Sequence, residues 1–368
     1  VKKQRITLVG FGLLASSIAA ALKQSKKDVI VRAVSSKDTL ERAKALDLAD
    51  EFYEYSDLLH WVSGSDLIFL CTPISRIFTL LHELLMVKPI EKIIVCDIGS
   101  TKEEICKLGF ILKDPFLFVG THPMSGSEKS SLEYNDPSIF ENAYWFLCPP
   151  PGVDPKDYQI LKDCICFLGS HPISITPKEH DFIMAWLSHM PQILSSTLAA
   201  SLPTDLLEKE QQHYAGRGFK DMTRIAGSSW NIWKDIYATN SEYTSLALKS
   251  LIQELHQVDS SLDSLKETIK PLEKLFLRGN EGRASLFAPG RNVSGRFFEL
   301  TVPLKDEPGA LLSVLSPLAE HKINVRDIEL MKVRENIAGT LLLAFKNESE
   351  AIQAEAILKN LAYKVKKR

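Results

Sequence analysis

The stretch His122-Pro123-Met124-Ser125-Gly126-Ser127-Glu128 sets an imidazole among small hydroxyl residues and a carboxylate. A second polar cluster, Gly218-Phe219-Lys220-Asp221-Met222-Thr223-Arg224, puts two cations among apolar neighbours. A neutral histidine is the usual base near pH 7. A buried arginine offers a planar fork that fits a carboxylate better than a lysine does. Upstream, Gly10-Phe11-Gly12-Leu13-Leu14-Ala15 follows the β-rich run Ile6-Thr7-Leu8-Val9 and precedes an alanine-rich stretch. In such a turn the first glycine permits the bend, the second admits a pyrophosphate and a small third residue lets helix and strand pack closely. Amides at the helix start then bind phosphate, which makes Gly10, Gly12, Leu13 and Leu14 candidate cofactor contacts. Together these residues suggest proton removal and hydride transfer on an acidic substrate. Two plainer readings stand beside this one: an ordinary βα turn, and an ion pair of Arg224 with Asp181 or Asp221.

The elements that must position these groups alternate. Apolar strand-like runs at 29–34, 66–71, 92–97 and 117–120 are separated by helix-like segments such as 37–46 and 74–85. This order implies a Rossmann-type, doubly wound parallel sheet, with Thr72-Pro73, Gly99-Ser100 and His122 at the carboxyl ends of strands, where such sheets bind ligands. The second strand ends Ala33-Val34-Ser35-Ser36-Lys37, with no carboxylate to repel a 2′-phosphate. Ser35, Ser36, Lys37 and Arg32 therefore favour NADP, while Asp38 leaves NAD open. From about residue 177 helices take over, at 178–201, 204–214, 230–239 and 241–277. The apolar spacing of the last suits packing across a homodimer interface or within an ordinary bundle. His180-Asp181 and Ser188-His189-Met190-Pro191-Gln192 bring polar groups into this region, where a lone histidine is more often a satisfied core residue.

A linker is expected at 283–295, and a strand, helix, strand, strand, helix order with a final short strand beyond it. The domains read as 1–175 for the dinucleotide, 176–282 helical for substrate and dimerisation, and 296–368 as a small α+β unit. Lysine plus arginine (44) nearly balance aspartate plus glutamate (46), so no overall field attracts nucleic acid or an anionic membrane. There is no signal-peptide core and no run of ~20 apolar residues. Six cysteines without a Cys-x-x-Cys pair suggest reduced thiols in a cytoplasm, and no metal-ligand spacing is present.

The chain resembles the prephenate and arogenate dehydrogenase family of tyrosine biosynthesis over nearly its whole length. The carriers are Gly10-Phe11-Gly12-Leu13, Asp97-Ile98-Gly99-Ser100-Thr101-Lys102, residues 122–130, His180-Asp181, Ser188-His189-Met190-Pro191 and residues 218–226. The resemblance implies oxidative decarboxylation of a cyclohexadienyl acid, with His122 taking the proton of the ring hydroxyl and Ser100 orienting it. It also implies that Arg224 binds a substrate carboxylate, that Asp181 pairs with Arg224 to gate entry, and that His189, Lys220, Trp233 and Glu128 line or brace the pocket. Gln192 stands where many prephenate-using members have histidine, and Arg217 where relatives often have Gly or Ser. Substrate choice between prephenate and arogenate stays open. The serine-ended second strand is similar to NADP-linked arogenate dehydrogenases.

Residues 296–368 resemble an ACT domain. The loop Leu304-Lys305-Asp306-Glu307-Pro308-Gly309-Ala310-Leu311 is its expected effector site, with Asn324 a second contact. Tyrosine is the effector the resemblance implies, against a purely structural dimerisation module. Two further alternatives remain: a β-hydroxyacid dehydrogenase using Lys220 as its acid or base, and a non-catalytic amino-acid-responsive regulator.

Overall fold

The computed structural model describes residues 3–24, 28–126, 131–263, 268–286, 298–305, 307–331 and 339–367. The chain divides into two compact units, Val1–Lys266 and Glu267–Arg368.

The first unit begins β1 (Gln4–Val9), α1 (Leu13–Gln24), β2 (Val29–Ser35), α2 (Lys37–Ala45), β3 (Glu51–Glu54) and α3 (Leu58–Val62). It continues β4 (Leu67–Leu70), α4 (Ile74–Leu85), β5 (Ile93–Asp97), α5 (Glu103–Gly109) and β6 (Phe116–Pro123), then β7 (Tyr144–Cys148), α6 (Gln159–Phe167) and β8 (His171–Ser174). These form one sheet ordered β3-β2-β1-β4-β5-β6-β7-β8. Its first six strands are parallel, in the doubly wound order expected of a Rossmann fold. The sheet is nevertheless mixed, because β7 runs antiparallel to β6. A parallel neighbour needs a crossover element, and the described residues between β6 and β7 hold only the 3-10 turn Leu132–Tyr134. Alternate residues of each strand serve opposite faces: Leu8, Phe69 and Cys96 join one apolar layer, Val9, Leu70 and Val95 the other.

Helices follow: α7 (Pro177–Met184), α8 (Met190–Ala200), α9 (Thr204–Glu208), α10 (Arg217–Thr223), α11 (Trp230–Thr239) and α12 (Ser241–Asp263). A capping box of Thr176 and Glu179, with Pro177 in the first turn, fixes the start of α7. Between α7 and α8 the expected single helix widens into a π-helical turn, Ala185–His189. Pro191, which has no N–H to return to the preceding turn, lies just beyond it.

The expected helix 241–277 is two helices. α12 ends at Asp263, residues 268 and 269 are not helical, and α13 (Lys270–Leu286) opens the second unit. Pro271 explains the restart, since proline suits a first turn and breaks a helix interior. α13 also carries through residues 283–286, which contain no breaker, so the linker starts later than expected; its remainder, 287–295, lies outside the described residues. The second unit then has β9 (Phe298–Leu304), α14 (Ala310–Glu320), β10 (Val325–Met331), β11 (Gly339–Phe345), α15 (Glu348–Asn360) and β12 (Lys366–Lys367). Its antiparallel sheet, ordered β10-β11-β9-β12, packs Leu300, Val302, Leu341 and Leu343 on Val314, Leu318 and Leu358, a small ferredoxin-like α+β fold. Among the described residues no helix is long and apolar enough to cross a membrane.

Candidate active site

The β1–α1 turn opens onto a cleft of roughly 770 Å³ walled by Gly10, Gly12, Leu13 and Leu14 on one side and Cys71, Thr72 and Pro73 after β4 on another. Gly10 has φ +92°, and a Cβ there would strike the Thr72 methyl and lie 2.9 Å from the Cys71 carbonyl. The turn is therefore closed to any larger side chain, leaving bare backbone facing the cleft. Thr72 Oγ1 is buried there without a hydrogen-bond partner. The start of α1 at Leu13 and Leu14, an unpartnered hydroxyl and an apolar wall of this size fit a dinucleotide.

At the adenosine end, β2 stops at Ser35, as read from the sequence, and the wall is completed by Thr39, Arg42 and Tyr55. Ser36 and Lys37 begin α2 beside this wall, exposed. Arg32 does not serve the cleft. It is buried and donates to Glu51, to Tyr53 and to the carbonyls of His60, Trp61 and Ser63, because β2 points it at the β3 edge. The cation at the cleft is Arg42, which sequence reading missed; it sits one helical turn after Asp38 and pairs with it at 3.3 Å and with Glu133 at 2.9 Å. The exposed Asp38 that left NAD open is thus already engaged by a cation.

The far end of the cleft is built by the ends of β5 and β6. Ser100 and Gly99 line it. Asp97 is wholly buried; its carboxylate accepts the N–H of Gly99 at 2.8 Å and of Thr121 at 3.0 Å and is ion-paired with the equally buried Lys102. This pair fixes the turn after β5 to the strand that carries His122. His122 is half-buried at the end of β6, where the strand has left its parallel partner and pairs with Phe146 of β7. Its Nδ1 lies 2.8 Å from Nε2 of His180, whose Nδ1 lies 2.7 Å from Oδ1 of Asp181. Asp181 also accepts the backbone N–H groups of Lys102 at 2.7 Å and Glu103 at 2.8 Å.

Asp181 is therefore occupied, with no ion pair to Arg224 among the described residues, which corrects the gate and the Asp181 form of the structural pair expected for Arg224. Arg224 itself is exposed at the end of α10, not buried. Burial, with the cations of Lys102 and neighbouring imidazoles, holds His122 and His180 well below the usual histidine range. Burial likewise pushes Asp181 up, partly offset by its two amide donors.

His189, placed by the π turn, is buried with its Nδ1 3.1 Å from Asn240 Nδ2, and Trp233 packs edge-on against it at 6.0 Å. Gln192 donates to the Ile225 carbonyl at 2.9 Å and so braces the turn that follows Arg224. Lys220 is exposed on α10, and Arg217 is exposed and 3.4 Å from Asp221. Glu128 lies outside the described residues. Two tethers escaped sequence reading: Asp235 of α11 accepts the Ser75 N–H at 2.9 Å, and Thr239 meets Thr101 at 2.7 Å, both joining the helices to the sheet beside the cleft. Neither has a signal in the sequence, because α11 also carries Asn231 and Lys234, and nothing local sets Asp235 and Thr239 apart from them.

In the second unit a recess of roughly 310 Å³ is lined by Lys305, Glu307, Gly309, Ala310, Leu312 and Leu330, among others. Gly309 has φ +87° and caps α14. Pro308 and Asn324 are exposed and are not part of its wall, and Asp306 lies outside the described residues.

A doubly wound sheet, a dinucleotide-sized cleft at its strand ends and a tethered histidine beside it define a dinucleotide-dependent dehydrogenase. Two family models match in tandem: "Prephenate dehydrogenase, nucleotide-binding domain" over residues 18–173 and "Prephenate dehydrogenase, dimerization domain" over residues 176–276. The chain is 28% identical over 360 residues to the prephenate dehydrogenase of Bacillus subtilis, covering 96% of this chain and 95% of that protein. It is 29% identical over 361 residues to that of Lactococcus lactis, covering 96% and 97%. Among solved structures, Synechocystis arogenate dehydrogenase is similar at 27% identity and TM-score 0.66, over 77% of this chain and all of that one. The chain belongs to the prephenate and arogenate dehydrogenase family.

Proposed function

We propose that this protein oxidatively decarboxylates prephenate or arogenate, yielding 4-hydroxyphenylpyruvate or tyrosine, with His122 as the base. The observation that carries this reading is the position of His122: its Nδ1 is held by His180 while the ring stands at the strand ends that form the cofactor cleft. A dinucleotide held by Gly10, Gly12, Leu13 and Leu14 would supply the hydride acceptor. His122 Nε2 removes the ring-hydroxyl proton, Ser100 contacts the same oxygen from the wall of the cleft, and Arg224 holds a carboxylate of the substrate. His189 and Trp233 line the apolar side, while Gln192 keeps the Arg224 turn in place.

Ser35 at the end of β2 and Arg42 beside it favour NADP, whose 2′-phosphate would take the place of Asp38 and Glu133 on the guanidinium. Replacing Arg42 by Ala should raise KM for NADP about tenfold and leave that for NAD nearly unchanged.

Purified protein assayed with prephenate and arogenate against NAD and NADP tests the whole reading. Turnover in any combination supports the reaction, dominance of NADP supports the reading of Ser35 and Arg42, and silence in all four overturns it. We further propose that the enzyme is a homodimer through its helical region and that the Gly309 recess binds tyrosine as a feedback effector. The dimerisation-domain match supports the first and the size and backbone of the recess the second. Calorimetric titration with tyrosine checks the effector: heat that a Gly309→Val variant loses is the expected result.

A further inference from the structure

The role proposed for His122 leaves two buried titratable groups unexplained, His180 and Asp181. Both are essentially without solvent exposure, and neither faces the cofactor cleft. Burying an aspartate beside a histidine is costly unless each hydrogen bond is satisfied. Here they are: the two Asp181 oxygens take two backbone N–H groups, and Oδ1 also takes His180 Nδ1.

The direction of the chain of bonds follows from Asp181. An ionised carboxylate only accepts, so His180 must carry its hydrogen on Nδ1. Its Nε2 is then a bare lone pair, which can only accept from His122 Nδ1–H. His122 is left with an unprotonated Nε2, the form a base requires.

The charges around this chain make the arrangement consequential. Lys102 and His189 face it from the β5–α5 turn and from the π turn, and Phe146 covers His180 edge-on at 5.4 Å. Asp97 is nearby, but its carboxylate is taken up by Lys102, Gly99 and Thr121. Among the described residues, the carboxylate hydrogen-bonded to this pair of imidazoles is Asp181, which an imidazolium formed on His122 reaches through His180.

Resting on the functional reading above, we propose that His180 and Asp181 are positioning residues that form a two-histidine relay: they fix the reactive tautomer of His122 and share the proton it takes until that proton is returned. The balance requires such a holding place. The hydroxyl proton passes to His122 as the C–H bond at the same ring carbon breaks and its electron pair leaves with hydrogen to the oxidised nicotinamide. The ring carboxylate then departs as carbon dioxide, its bonding pair makes the ring aromatic, and the resulting phenolate recovers the proton from His122. No proton is released overall, so the site must carry one charge more through the middle of the reaction.

The test uses the full chain. Nitrogen-15 histidine spectra of the free protein at neutral pH should show both His122 and His180 neutral with hydrogen on Nδ1. Hydrogen on Nε2 of His122 overturns the relay whether or not the protein proves to be a dehydrogenase. On whichever substrate the assay identifies, His180→Asn keeps a donor for Asp181 but cannot reach His122, whereas His180→Gln offers His122 an acceptor but releases Asp181. The relay requires kcat to fall about 10- to 1,000-fold in both, with KM little changed and the acid limb of the pH profile displaced. A fall in melting temperature with kcat and the pH limb unmoved would mean that the pair is structural only. If either variant fails to fold, the wild-type spectrum decides alone.

Discussion

His189 shows how one buried residue couples protonation to stability. Its Nδ1 accepts from Asn240, whose amide also donates to the Asp181 carbonyl at 2.8 Å, so a proton on Nδ1 would break the link. Burial lowers its pKa to about 4. An unfolded histidine titrates near 6.5, so between about pH 6.5 and 4 the unfolded chain binds the proton and the folded chain does not, and stability falls as pH falls. The shift corresponds to about 3 kcal/mol for His189, and His122 and His180 act in the same direction. Asp97 and Asp181, both raised by burial, oppose this trend at lower pH, so the steepest loss is expected between about pH 6.5 and 5. Melting temperatures measured from pH 7.5 to 5 should decline, and His189→Asn, which keeps an acceptor for Asn240 but does not titrate, should flatten the decline by about one proton. An unchanged slope would place the titration elsewhere.

At the scale of elements, the β1–α1 turn is the part most open to direct test. A Gly10→Ala change adds a methyl where φ is positive and the Thr72 side chain and Cys71 carbonyl already stand. The turn must open, and the amides of α1 move off the phosphates. Cofactor affinity, followed by fluorescence titration, should fall at least about tenfold, with the rest of the sheet intact by circular dichroism. This turn was legible in the sequence because its requirement is local: a strand, two glycines and a helix in register. The strand ends at Ser35, Asp97 and His122 were legible for the same reason, since apolar runs mark parallel strands. What escaped was set by contacts distant in the chain. Arg32 reads as a cation near a phosphate until β3 supplies Glu51 and Tyr53. Asp181 reads as a partner for Arg224 until the amides of Lys102 and Glu103 claim it. His180 reads as a core histidine until β6 brings His122 to 2.8 Å. The break after α12 has a local signal in Pro271, which the apolar spacing of 241–277 hides.

For the whole molecule, the helical region leaves much of its apolar surface uncovered within one chain. α9 and α10 bury no residue, and along α12 Ile252, Leu255 and Leu262 stand 42%, 50% and 53% exposed at a spacing that puts them on one stripe. A patch of this kind on a monomer marks an interaction surface. The proposed partner is a second copy, in keeping with the dimerisation-domain match over residues 176–276. The catalytic consequence follows from the packing of α12 on α8, because α8 also packs on α10 and its Gln192 holds the Ile225 carbonyl in the turn that carries Arg224. An Ile252→Glu/Leu255→Glu double variant should therefore run as a monomer by light scattering, keep its cofactor affinity, which depends on the sheet, and lose kcat/KM for the substrate by about tenfold or more, which depends on the Arg224 turn. A monomer with undiminished kcat/KM would show that the turn is ordered without a partner. A variant that stays dimeric would move the interface off this stripe.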